Sequence, residues 1–263
     1  MTSPHLKLDA SLPHVQFYLT TTAPMLVGAT WATYLLPEMA NDMSSPEQWQ
    51  QDINESWGLE TRTDLYRMIW RLAMMDVHGD DWHHHFIRYR CNSANEWRSS
   101  LTMDGNPTQI AEQKFMDMVA KLVGEEGFYA WDFVRGSYLT RAGLYTGWVP
   151  EADAIYLLNV ISHQAQRHFR SWETYIRSYL CGRALWAFHC FDAEERLEHI
   201  NSFLSGDIKS GFNSMAKFYH HFESDERCPL HWMKWNIFLP EMSAPQSLQD
   251  VMNAKNQEVG VSE

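Results

Sequence analysis

Cysteine is scarce in this sequence and irregularly placed. The four cysteines, Cys91, Cys181, Cys190 and Cys228, form no CxxC pair and have no regular spacing. Zinc ribbons and disulfide frameworks both require such spacing, so neither is indicated. We interpret the cysteines as reduced thiols of a cytoplasmic protein.

Basic residues are also in short supply. The chain of 263 residues has 21 Lys and Arg against 33 Asp and Glu, which gives a net charge of -12. A nucleic-acid-binding protein needs clustered Lys and Arg to contact phosphates, so this balance argues against that class. A basic partner protein or a small ligand agrees better with the charge.

One stretch, residues 10–37, lacks charged side chains altogether. Such a stretch raises the question of a membrane span or a signal peptide. However, Pro13 and Pro24 interrupt it, and Asp9 lies where a signal peptide carries positive charge. We therefore predict that residues 1–56 form an N-terminal layer packing on the core, with no membrane association.

The signature motifs of common enzymes are missing as well. The sequence has no Ser-His-Asp order, no Gly-rich phosphate loop and no HExxH. These motifs hold nucleophiles, phosphates or zinc at fixed spacing, so their absence gives no indication of a cofactor. The balance favours a protein that is not an enzyme, and the enzyme alternative stays open.

What the sequence does contain is a series of amphipathic helices. Ser45, Pro46 and Gln48 predict a helix start with a capping box, and Thr61 to Asp64 repeat the signature. Twelve tryptophans and fourteen methionines indicate a bulky core or interface. The predicted fold class is all-α, a single compact multi-helix domain over residues 57–240, followed by a polar, disordered tail at 241–263.

The predicted central helix, residues 128–145, is apolar in nearly all directions. A helix of this kind is buried. Yet it carries Asp132, Arg135 and Arg141, and a charge in a core needs a partner or a shifted pKa. Arg183 likewise lies on the apolar face of a later helix, and we expect it to meet Asp132 or another acid.

Two interpretations of these charges remain open. They could form a structural ion-pair network that fixes the register of packed helices, with Asp132 and Arg135 paired three residues apart. Alternatively, Asp132 could act as a general base while Arg135, Arg141 or Arg183 binds an anionic group. The first interpretation is the more common outcome for such groups.

A second cluster of candidate residues lies between positions 76 and 85. Asp76, His78, Asp81 and His85 are side chains that could bind zinc or manganese. Their spacing matches no metal motif, and neighbouring histidines on a helix point in different directions. The preferred interpretation is a solvated or structural cluster.

Several stretches resemble the bacterial domain-of-unknown-function 1266 family, over about residues 57–235. They are WGLETRTDLYRMIW, AWDFVRGSYLTRAGLYTGWVPEADA, SWETYIRSYLCGRALW and, more weakly, HWMKW. The resemblance implies a mostly helical, cytoplasmic bacterial domain, and it brings no catalytic residues. The positions that match the pattern of the family are Trp131, Asp132, Arg135, Arg141, Gly143, Gly147, Ser171, Trp172, Gly182, Arg183 and Trp186.

The resemblance also implies a function, since genes for similar proteins occur beside secreted toxins. We therefore expect an immunity or antitoxin-like protein that neutralises a cognate toxin by direct binding. Its acidic charge would steer it toward a basic toxin, and its aromatic side chains would supply binding energy. The alternative is an enzyme or ligand-binding domain with an Asp132, Arg135 and Arg183 pocket for an anionic small molecule.

Overall fold

The structure is a computed structural model that describes residues 8–38, 45–101, 106–190 and 215–250, together with 195 and 198. For residues 80 and 81 it describes the backbone alone. Every regular element in these ranges is helical, which confirms the all-α prediction. The α-helices are α1 (Pro13–Thr20), α2 (Ala23–Leu26), α3 (Pro46–Trp57), α4 (Arg62–Ala73), α5 (Gly79–Cys91), α6 (Ala94–Ser100), α7 (Pro107–Leu122), α8 (Tyr129–Tyr145), α9 (Glu151–His168), α10 (Trp172–Cys190) and α11 (Met215–Ser224).

The predicted helix starts are confirmed, with one difference in detail. At α4, Asp64 N donates to Thr61 Oγ1 and Thr61 N donates to Asp64 Oδ2, which completes a capping box. At α3, Gln48 N donates to Ser45 Oγ at 3.3 Å. The Gln48 side chain donates to Asp52 instead of returning to Ser45, so α3 has a simple cap.

Backbone contacts divide the chain into two compact units. Unit 1 comprises Met1–Met74, Phe133–Arg167 and Pro229–Glu263, and unit 2 comprises Met75–Asp132 and His168–Cys228. Neither unit is a continuous stretch of sequence. The division into segments 1–56, 57–240 and 241–263 stays a prediction.

In unit 1 the N-terminal segment is part of the core. Phe17 and Tyr18 on α1 are fully buried, and Thr21 Oγ1 lies 2.8 Å from Ser137 Oγ on α8. Gly136 lets α8 approach its neighbours, because a Cβ there would lie 3.2 Å from Ile161 Cδ1. Among the described residues, no helix is long and apolar enough to cross a bilayer.

The core of unit 2 is built on aromatic rings. Trp82 and Phe128 are buried and pack edge to face, with ring centroids 5.2 Å apart. The Trp82 indole donates to the carbonyl oxygens of Gly124 and Glu125 at 3.1 and 3.0 Å. These bonds satisfy the one polar atom of the ring, so the whole side chain can be buried.

The central helix α8 is buried along most of its length, as predicted. Its burial includes polar side chains as well as apolar ones. The fully buried polar residues of α8 are Asp132, Ser137, Thr140 and Arg141. Each of these must find its hydrogen bonds inside the protein, which makes α8 the element to search for a site.

The described part of the predicted tail, residues 241–250, includes a short helix. Residues 246–250 are helical, and Leu248 is buried. Ser247 Oγ donates to Asp153 Oδ1 at 2.6 Å, which ties this helix to the start of α9. Residues 251–263 lie outside the described residues.

Candidate functional site

Asp132 in the first turn of α8 is the centre of a buried polar cluster in unit 2. One carboxylate oxygen, Oδ2, accepts hydrogen bonds from the backbone N of His78 at 2.9 Å and of Gly79 at 3.2 Å. The other, Oδ1, lies 3.0 Å from His78 Nδ1. Because α5 has no side-chain cap of its own, Asp132 supplies the acceptor that its first amide groups need.

The contact with Asp132 also fixes the imidazole ring of His78. This side chain is 19% exposed, whereas Asp132 is fully buried. A carboxylate at Nδ1 orients a histidine and selects its tautomer. An imidazole held in this way can act as a general base or bind a ligand through Nε2.

Aromatic rings line the same region, which we call the His78 site. Trp131 packs edge to face against His78, with centroids 6.3 Å apart. It also contacts Tyr179 at 5.5 Å and the exposed Trp186 at 6.0 Å. The site thus combines one oriented imidazole with several aromatic rings. It contains Trp131, Asp132 and Trp186, three of the positions that match the pattern of the family.

Arg183 lies in this region too, but the predicted pairing with Asp132 is not the one found. Among the described residues, the hydrogen-bond partners of the Asp132 carboxylate are His78 and Gly79. Arg183 Nη1 contacts the hydroxyl of Tyr179, one turn earlier on α10, at 3.4 Å. The neighbouring Gly182 does permit close approach, since a Cβ there would lie 2.3 Å from Trp131 Cβ.

The other two candidate arginines lie in unit 1 and have different environments. Arg135 is partly exposed, and its Cζ lies 4.3 Å from the centroid of the Trp57 ring, a cation–π contact. Arg141 is fully buried and donates through Nη2 to the carbonyl oxygens of Thr33 and Leu36. The structure therefore distributes the predicted charged residues over several places.

The residues proposed as metal ligands do not form one cluster, as far as their side chains are described. Asp76 is exposed, His78 contacts Asp132, and His85 lines a cleft of about 230 Å³ with Arg88 and Glu112. Within the described part of the chain, no three His, Cys, Asp or Glu side chains come together. The side chain of Asp81 lies outside that part.

A second buried carboxylate, Asp153 on α9 in unit 1, was not predicted from the sequence. Asp153 Oδ2 accepts from the Tyr66 hydroxyl and from Arg62 Nη2 at 3.3 Å, and Oδ1 accepts from Ser247. Burial raises the pKa of Tyr66, and the hydrogen bond to Asp153 raises it further. The available signal was an acid in the first turn of α9, directly before the apolar residues Ala154, Leu157 and Leu158.

A second feature that was not predicted from the sequence is a segment that we call the closing strap, residues 229–241. Three polar side chains on α9 hold the backbone carbonyls of this strap. Gln166 donates to Trp235 O at 2.8 Å and to Ile237 O at 3.1 Å. Asn159 donates to Pro240 O at 3.0 Å, and His163 Nε2 lies 3.3 Å from the same atom.

The strap buries some of its side chains and exposes others. Trp235 is buried and packs edge to face on Phe17 of α1, with centroids 5.6 Å apart. In contrast, Trp232 is 50% exposed and Phe238 is 85% exposed. The anchored backbone therefore presents two large aromatic side chains to the surroundings.

An all-α protein with a buried, helix-capping carboxylate is the class that this fold and site define. Comparison with known families adds one assignment. The chain belongs to the family described as "Protein of unknown function (DUF1266)", whose model matches residues 52–223. The match confirms the resemblance, and it ends before the HWMKW motif in the strap.

Two bacterial relatives support the assignment. The chain is similar to "Uncharacterized protein YbeR" of Escherichia coli (strain K12), with 29% identity over 204 residues, 76% of this chain and 82% of the relative. It is also similar to "Uncharacterized protein YbeU" of the same strain, with 29% identity over 135 residues, 51% of this chain and 57% of the relative. No solved structure matches the chain.

Proposed function

We propose that this protein is a binding protein that docks a basic partner protein through the closing strap. The observation that carries the proposal is the exposure of Trp232 and Phe238 on a backbone that α9 holds in place. Large aromatic side chains dominate the binding energy of protein interfaces. A strap that is already ordered loses little conformational freedom when a partner covers it.

The energy available from these two side chains is substantial. Burial of a large apolar side chain contributes about 1.5–3 kcal/mol. Because Trp232 is 50% exposed and Phe238 is 85% exposed, covering the exposed part of both side chains could contribute about 2–4 kcal/mol, or roughly one and a half to three powers of ten in Kd. That amount is typical of a small cluster of interface hot spots.

The charge of the protein supports a basic partner. The net charge of -12 gives an attractive field for a positively charged protein. At the end of the strap, Glu241 lines a groove of about 260 Å³ together with Tyr156 and His163. A strap that exposes aromatic side chains and ends in an acidic residue suits a basic surface that has an apolar centre.

The concrete form of the proposal is an immunity or antitoxin-like protein in the bacterial cytoplasm. Such a protein neutralises a cognate secreted toxin by covering its active site. Many toxins that attack nucleic acids carry basic active-site surfaces, because they must bind phosphates. An acidic protein with a prearranged aromatic strap is suited to such a target.

The experiment is a binding and protection assay with the product of the adjacent gene. The double variant W232A/F238A should weaken binding by about 30- to 1,000-fold and abolish protection. W31A removes another exposed tryptophan of unit 1 and is the matched control, which should bind like the wild type. Equal binding by W232A/F238A and the wild type would refute the role of the strap.

The alternative function, an enzyme or ligand-binding domain with an Asp132, Arg135 and Arg183 pocket, receives less support. Both oxygens of Asp132 accept hydrogen bonds from α5 or contact His78, so the carboxylate serves the fold. The oriented imidazole of His78 is the feature that would carry such chemistry. Loss of activity on a small anionic substrate in H78Q, with unchanged stability, would favour this alternative.

A further inference from the structure

Arg141 in unit 1 is buried with more than half of its hydrogen-bonding capacity unused. Its side chain has no exposure, and Nη2 donates to Thr33 O at 3.0 Å and to Leu36 O at 2.6 Å. Nε and Nη1 are buried and have no hydrogen-bond partner in the described part of the chain. Because a guanidinium has five N–H groups, three donors remain unsatisfied.

The described surroundings of Arg141 supply no negative charge. Both carbonyl groups that it contacts belong to residues 10–37, the stretch that contains no charged residue. Among the described residues, Arg141 forms no ion pair. Burial alone lowers the pKa of Arg141 to about 9, so the guanidinium still carries its charge at neutral pH.

A residue whose backbone Arg141 contacts also has an unsatisfied polar group. Thr33, whose carbonyl oxygen Arg141 contacts, has a buried hydroxyl Oγ1 without a hydrogen-bond partner. Buried polar groups are nearly always satisfied, so a group of unsatisfied donors around one positive charge calls for an acceptor with negative charge. A water molecule could accept hydrogen bonds, but it would not compensate the charge.

We propose that unit 1 binds one small anion, a carboxylate or an inorganic anion, at Arg141 and Thr33 between α8 and residues 27–38. Guanidinium groups recognise carboxylate and phosphate through several N–H donors at once. Because Arg141 has no exposure, residues 27–38 must open for the anion to enter. This proposal is independent of the strap, since it concerns a small ligand inside unit 1.

The test is thermal unfolding of the full chain during titration with chloride, acetate or phosphate at constant ionic strength. The wild type should gain about 5 °C or more at roughly a hundredfold excess of the bound anion over its Kd. R141M should lose this response. R227M, which removes an exposed arginine of unit 2, is the control and should respond like the wild type.

The three anions distinguish the possible ligands. A response to chloride alone identifies a halide site, a response to acetate identifies a carboxylate site, and a response to phosphate identifies a phosphate site. If R141M does not fold, R141K keeps the charge with fewer donors and should bind the same anion more weakly by calorimetry. Equal responses of wild type and variant, or no response of the wild type to any of the three, would overturn the proposal.

Discussion

Replacing Asp132 by alanine tests whether this carboxylate holds the start of α5. The substitution removes the acceptor of two backbone hydrogen bonds, from His78 N and Gly79 N, and the contact with His78 Nδ1. Gly79 is buried, so water cannot easily replace the lost acceptor there. The perturbation therefore leaves buried donors unsatisfied as well as removing a cap.

The size of the effect follows from these contacts. Loss of a helix cap costs about 0.5–2 kcal/mol, and each buried donor left without a partner costs about 1–3 kcal/mol. We expect D132A to lower the free energy of unfolding by about 3–5 kcal/mol. D132N should lose only about 1–2 kcal/mol, because its amide oxygen can still accept from the two backbone N–H groups.

The assay is urea unfolding followed by far-ultraviolet circular dichroism, with hydrogen exchange at the amides of residues 78 and 79. Faster exchange at these amides in D132A, beyond the general loss of stability, would show that the cap itself has been lost. E173Q alters an exposed ion pair with Arg177 on α10 and should change the stability by less than about 0.5 kcal/mol. If D132A is as stable as E173Q, or if D132N loses as much as D132A, the capping argument is wrong.

Three further predictions concern other contacts. G182A should lower the free energy of unfolding by about 1–3 kcal/mol or more, since its Cβ would lie 2.3 Å from Trp131 Cβ. Thermal unfolding measures the effect, and a Tm equal to that of the wild type would contradict this packing. Burial raises the pKa of Tyr138 to about 12, so its contribution to stability is full below about pH 10, the pKa of an unfolded tyrosine, and is lost as the pH rises toward 12. The midpoint of urea unfolding should therefore fall less steeply above about pH 10 in Y138F than in the wild type. The lowered pKa of Arg141 changes stability in the opposite direction, but it does so equally in the wild type and in Y138F. Q166A should release the strap and speed its limited proteolysis, whereas Q113A in unit 2 should not; equal cleavage rates would argue against anchoring by Gln166.

The helices and their ends follow from the sequence because their causes are local. The capping box of Thr61 and Asp64 involves residues three apart, so the pattern is readable without knowledge of the rest of the fold. The burial of α8 is equally local, since an apolar side chain in every direction leaves no face for water. The all-α class and the central helix were therefore predictable.

The pairing of buried charges was not predictable in the same way. The sequence showed that Asp132 needed a partner, and the partners that it suggested were Arg135 and Arg183. The partner found, His78, lies 54 residues away along the chain. Its position depends on how α5 packs, and no short-range pattern specifies that packing.

Contacts between side chains and distant backbone atoms were even less predictable from the sequence than the pairing of buried charges. Gln166, Asn159 and His163 hold carbonyl oxygens of the strap, and Arg141 contacts two carbonyl oxygens of residues 10–37. Every residue has a carbonyl group, so no side-chain pattern indicates which one a distant donor will meet. The sequence by itself determined the helices, the buried α8 and the need of its charges for partners, because these depend on side chains within a few turns. Only the tertiary structure decided which partners they have, because that choice is made by packing between segments that are far apart in the chain.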